Sequence, residues 1–76
     1  MVAFKAKGST WVEVTDAKGV VQLRKTLSTG ERSAASGAMP LSVVIGRVDM
    51  TDVEVGGKPF KLDGIAKDNV ARFEVK

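Results

Sequence analysis

The stretch Trp11-Val12-Glu13-Val14-Thr15-Asp16-Ala17-Lys18-Gly19-Val20-Val21-Gln22-Leu23 reads as strand, turn, strand. Val12 and Val14 alternate with Trp11, Glu13 and Thr15, the period-two signature of a half-buried strand. Asp16-Ala17-Lys18-Gly19 then breaks the pattern, and Gly19 can take the positive φ that short hairpin loops need. Beyond the turn Val21, Leu23 and Leu27 share a face interrupted by Lys25. Working outward, the same alternation recurs in Val2/Phe4/Ala6, Leu41/Val43/Ile45, Val53/Val55, Phe60/Leu62 and Ala71/Phe73/Val75. A weaker polar strand covers Arg32 to Ser36.

The breaks between these runs agree. Gly56-Gly57 is a two-residue hairpin signal, and Pro40, with no N–H to donate, belongs before its strand. Asp63 to Asn69 is expected to form one helical turn, with Asp63 as its cap and Ile65 plugging an end of the core. No amphipathic helix of ten or more residues is visible. The pattern predicts an all-β domain, a sandwich or small barrel of short antiparallel strands. Its expected core is Val2, Phe4, Val12, Val14, Val21, Leu23, Leu41, Val43, Ile45, Val53, Val55, Phe60, Leu62, Phe73 and Val75.

With 76 residues, 43% apolar and 28% charged, the chain suits one core and one domain, 1–76. No apolar run is long enough to span a membrane. Cys, His and Tyr are absent. That excludes disulfides, Ser–His and Cys–His nucleophiles, and the usual imidazole or thiolate metal sites. No catalytic, cofactor-binding or metal-ligating residue is therefore expected. Asp49, Asp52, Asp63 and Asp68 lack the spacing of a calcium loop and read as turn carboxylates. Gly56-Gly57-Lys58-Pro59 lacks the first Gly and the Ser/Thr of a phosphate loop.

The net charge is +3, and residues 1–38 carry six basic and three acidic groups against six of each in 39–76. Lys5, Lys7, Lys18, Arg24, Lys25 and Arg32 read as a solvated face whose charges keep sheet edges from pairing, in preference to a phosphate-binding patch. A five-stranded OB barrel binding single-stranded nucleic acid is the alternative function, and it needs surface aromatics for stacking. Phe4, Phe60 and Phe73 all fall in phase with apolar faces, so no nucleic-acid partner is expected. Trp11 alone is out of phase. Strict alternation sends it outward, where it would face a partner. A bulge near Gly8-Ser9 would instead turn it over the end of the core, its indole N–H on a loop carbonyl.

Three stretches carry a family resemblance. Trp11-Val12-Glu13-Val14-Thr15-Asp16-Ala17-Lys18-Gly19 resembles the W-V-x-V-x-D-x-x-G opening of the C-terminal domain of RodZ, a bacterial cytoskeletal and cell-shape protein. Pro40-Leu41-Ser42-Val43-Val44-Ile45-Gly46 resembles its P-h-x-V-x-h-G segment, where h is apolar. Gly57-Lys58-Pro59-Phe60-Lys61-Leu62 and Val70-Ala71-Arg72-Phe73 resemble its closing motifs. The resemblance runs from about Val2 to Val75 and implies an Ig-like β-sandwich of about seven strands. It implies the periplasmic end of a single-pass inner-membrane protein with a non-catalytic role, and the domain is expected to be a monomer in isolation. The implied partners are periplasmic or inner-membrane proteins of the wall-elongation machinery, with a binder of wall glycan or peptide as a further alternative. The helix-turn-helix domain and membrane helix of such proteins match nothing here, so their functions are not carried onto these residues.

Overall fold

Eight strands follow one another along the chain: β1 (Val2–Ala6), β2 (Thr10–Thr15), β3 (Val21–Leu27), β4 (Arg32–Ala35), β5 (Leu41–Ile45), β6 (Thr51–Val55), β7 (Lys58–Pro59) and β8 (Ala71–Val75). One 3-10 turn, Val48–Met50, separates β5 from β6. The computed structural model describes residues 1–62 and 64–76. The strands form two four-stranded antiparallel sheets, here called A (order β4-β1-β6-β7) and B (order β3-β2-β5-β8). The protein is a β-sandwich. Among the described residues no ladder joins the two sheets, which removes the barrel alternative. The count is eight because Lys58–Pro59 forms a short strand of its own.

The apolar alternation is the core. Val2, Phe4 and Ala6 of β1, Val12 and Val14 of β2, Leu41, Val43 and Ile45 of β5, Val53 of β6, and Ala71 and Val75 of β8 are buried together, with Leu27, Ala35 and Leu62. Leu23, Val55, Phe60 and Phe73 pack on this cluster from its margin. Val21 was expected inside and is 47% exposed. The β2–β3 register shifts between Val14 and Thr15, so Leu23 faces Val14 while Val21 faces Thr15, a residue of the outward set. A one-residue slip exchanges the faces of a strand, and here it moves Val21 out of the core.

The turns follow their residues. Gly56 and Gly57 have φ of 60° and 82°, as the primed two-residue turn between β6 and β7 requires. Asp63, expected as a helix cap, lies outside the described residues. Ala66 N–H donates to Leu62 O at 3.0 Å. The rest of that segment is a different structure. Lys67 and Val70 exchange both backbone bonds, at 2.8 and 2.9 Å, around Asp68 and Asn69, whose φ values are 53° and 64°. Asp and Asn tolerate this left-handed region better than other side-chain-bearing residues, so the turn displaces the expected helix. Ile65 is 42% exposed and plugs nothing.

Polar anchoring holds the loops. The Thr51 and Thr10 hydroxyls lie 2.7 Å apart, and Thr51 donates to Arg47 O at 2.8 Å. Asn69 Nδ2 donates to Asp49 Oδ1 at 2.7 Å while Asn69 Oδ1 accepts the Asp49 N–H at 3.0 Å. The Asp16 carboxylate accepts the N–H groups of Lys18 and Val20 and the Gln22 amide, each at 2.9 Å. These bonds, that from Val20 foremost, hold the Asp16 carboxyl below the ordinary carboxylate range. Glu31, bonded by Lys25, and Asp49, bonded by Asn69, shift the same way.

A lowered pKa in the folded state means the folded chain binds fewer protons than the unfolded one. The stabilisation is therefore complete above the unfolded values, about 3.9 for Asp and about 4.3 for Glu, and is lost as pH falls through the folded values. The melting temperature is expected to fall as pH drops below about 4. Asp16→Asn should lower it at neutral pH and flatten part of the acid fall. An unchanged acid profile in that variant would contradict the role given to Asp16.

Candidate interaction face

Alternation along β2 decides where Trp11 goes. Thr10 and Val12 are buried, so Trp11 between them points away from the core, onto the outer face of sheet B. The β2–β3 ladder is regular from Thr10 to Val14, with no bulge that would swing Trp11 over the end of the sandwich. The end-capping alternative is therefore wrong. Trp11 is 36% exposed. Its backbone carbonyl accepts the Gly46 N–H at 2.8 Å, and a Cβ at Gly46 would lie 3.5 Å from Trp11 Cβ and 3.9 Å from Cδ1. The Trp11 side chain thus lies beside a residue with no side chain of its own and stays partly open to solvent.

Cross-strand register supplies the neighbours. Thr26 lies opposite Trp11 on β3. One step along, Arg24 faces Glu13, which faces Val44, which faces Arg72. Arg24 Nε and Glu13 Oε2 pair at 3.3 Å. Val44 is half-buried and Arg72 exposed. At the β8 end, Ile65, Lys67, Asp68, Val70 and Arg72 line a shallow depression. The face thus sets apolar Trp11 and Val44 among charged Glu13, Arg24, Arg72 and Glu74, with the depression at its margin. Sequence reading singled out only Trp11, because the other members meet through pairings between strands distant in the chain.

The six cations of the first half do not gather. Lys7 pairs with Asp52 at 3.4 Å, Lys25 with Glu31, and Arg24 with Glu13. Lys5 faces Arg32 and Asp52 on the outer face of sheet A, on the opposite side of the sandwich from Arg24. That outer face carries an open dish of about 540 Å³ floored by Ala3 and Ala34, with Lys5, Arg32, Asp52 and Glu54 around it. Gly56-Gly57-Lys58-Pro59 is a hairpin turn, as its spacing indicated. Asp49 and Asp52 are engaged with Asn69 and Lys7.

The RodZ C-terminal domain family matches residues 3–74 of the chain. The chain belongs to that family. No curated protein and no solved structure matches it. Seen as a RodZ C-terminal domain, the motif residues sort by physical task. Val12, Val14, Leu41, Val43, Ile45 and Ala71 fill the core, Asp16 gathers its loop, and Gly19 takes φ of 81°. Trp11, Gly46 and Arg72 do none of these things. In this RodZ C-terminal domain they lie on the outer face of sheet B.

Proposed function

We propose that this RodZ-type domain is a non-catalytic, periplasmic interaction module that supports rod shape and wall elongation. Its contact surface is the outer face of sheet B, with Trp11 as the anchor. The observation that carries this reading is a single Trp beside Gly46 with a third of its surface open, on a sheet face that also carries half-buried Val44 and the exposed Arg24 and Arg72. Partly exposed aromatics and arginines are the residue types that dominate binding hot spots. Proteins of the elongation machinery in the periplasm or inner membrane are the partners this role calls for. No helix among the described residues is long and apolar enough to cross a membrane.

The topology supports an Ig-like description. The order β8-β5-β2-β3 follows the G-F-C-C′ sheet of a variable-type domain, and β1 beside β4 follows B beside E. β6 takes the place of strand A beside β1. Nucleic-acid binding fits poorly, since one outward aromatic and divided cations make neither a stacking platform nor an electrostatic groove.

Complementation tests the proposal. In a rod-shaped bacterium lacking its own RodZ-type protein, the parent protein carrying Trp11→Ala should leave cells rounded at normal protein abundance, while Trp11→Phe should retain most rod shape. Full rods with Trp11→Ala would overturn the assignment of this face.

A further inference from the structure

The four edge strands are not equally protected against pairing with another chain. On β7 the edge is two residues long and includes Pro59. On β4 it is only four residues long and begins with the charged Arg32. On β3 the ladder is shifted near its start, and Lys25 sits opposite buried Val12, a charge at an inward position. These are the devices by which natural sheets blunt their edges. β8 has neither the shortness, the Pro nor the register shift, and its two exposed charges, Arg72 and Glu74, are of opposite sign. Ala71–Val75 is five residues in unbroken register with β5, without Pro, Gly or bulge. Among the described residues no backbone hydrogen bond reaches β8 from its outer side.

The sequence of that edge is self-complementary. When Ala71-Arg72-Phe73-Glu74-Val75 meets a second copy antiparallel with Phe73 opposite Phe73, Arg72 of each chain faces Glu74 of the other. Both side chains are exposed on the outer face of sheet B, and neither has an ion-pair partner among the described residues. Phe73 itself, stacked on Phe60 at 4.5 Å between ring centroids, is only half-buried at this margin. We propose that β8 pairs with β8 of a second copy, joining two B sheets into one across a two-fold axis at Phe73. The inference is independent of the Trp11 reading. It departs from the expected monomer as a proposal, since the complementarity shows only once β8 is known to be an edge.

A five-residue ladder is small, so the dimer is weak, with dissociation in the range of roughly 10 µM to 1 mM. Sedimentation equilibrium across that range, at low and high salt, tests it on wild type, Arg72→Glu, Glu74→Arg and the double exchange. Both positions are exposed, and circular dichroism confirms folding of each variant. Wild type should dimerise, less at high salt, and each single reversal should weaken the dimer about tenfold by placing like charges opposite each other twice. The double exchange, which keeps net charge and restores both pairs, should return it close to wild type. Monomeric wild type throughout the range, or a dimer indifferent to the single reversals, or one not restored by the double exchange, would overturn the proposal.

Discussion

Replacing Leu41 with Ala is expected to remove about 3–5 kcal/mol of folding stability, the upper range for truncating a fully buried leucine. Leu41 is 0% exposed and opens β5, which lies between β2 and β8 in sheet B. It sits opposite Val75 and on the same face as Val43 and Ile45, so its removal leaves a hole that neighbours on paired strands cannot easily collapse into. At 0.05–0.15 kcal/mol per residue, a chain of this length has roughly 4–11 kcal/mol in all. Urea denaturation of Leu41→Ala should therefore show a large drop in midpoint, and at the lower end of that range an unfolded majority in water. A loss below about 1 kcal/mol would mean that Leu41 is not in the core.

Phe73→Ala is expected to cost less, about 2–3 kcal/mol, although Phe is the larger residue. By sequence phase Phe73 belongs in the middle of the core, whereas the structure sets it half-buried against Phe60, with ring planes 19° apart. Part of its apolar area is already in contact with water, so only part of the transfer free energy is lost on truncation. The pair closes the sandwich between β7 and β8. A double-mutant cycle with Phe60→Ala and Phe73→Ala should show coupling of about 0.5–1.5 kcal/mol, the range for stacked aromatics. Additive losses would contradict the stacked contact.

What could be read from the sequence was what neighbouring residues determine together. Val12, Val14, Val43 and Ile45 announce their face by alternation, and Gly56-Gly57 announces a primed turn by its freedom at positive φ. Trp11 was in the right phase from the start, because no irregularity precedes it in β2. The errors arose where a partner decides. Val21 left the core through a register shift against β2, which nothing within β3 signals. Ile65 and Asn69 were drawn out of a helix by the tight turn at Asp68, whose docking on Asp49 spans 20 residues. The interaction face depends on Glu13 meeting Val44 and Val44 meeting Arg72, pairings set by the cooperative assembly of sheet B. An isolated stretch of sequence carries no record of them.

Acrylamide quenching of the single Trp decides whether the sandwich presents Trp11 as described. On the outer face of sheet B, Trp11 should be quenched readily in the folded protein, with emission shifted only slightly to the blue of free tryptophan. Unfolding should then raise the quenching constant by a small factor. A strongly blue-shifted Trp11 that resists quenching until the domain unfolds would place the indole inside the core and contradict the face on which the proposed function rests.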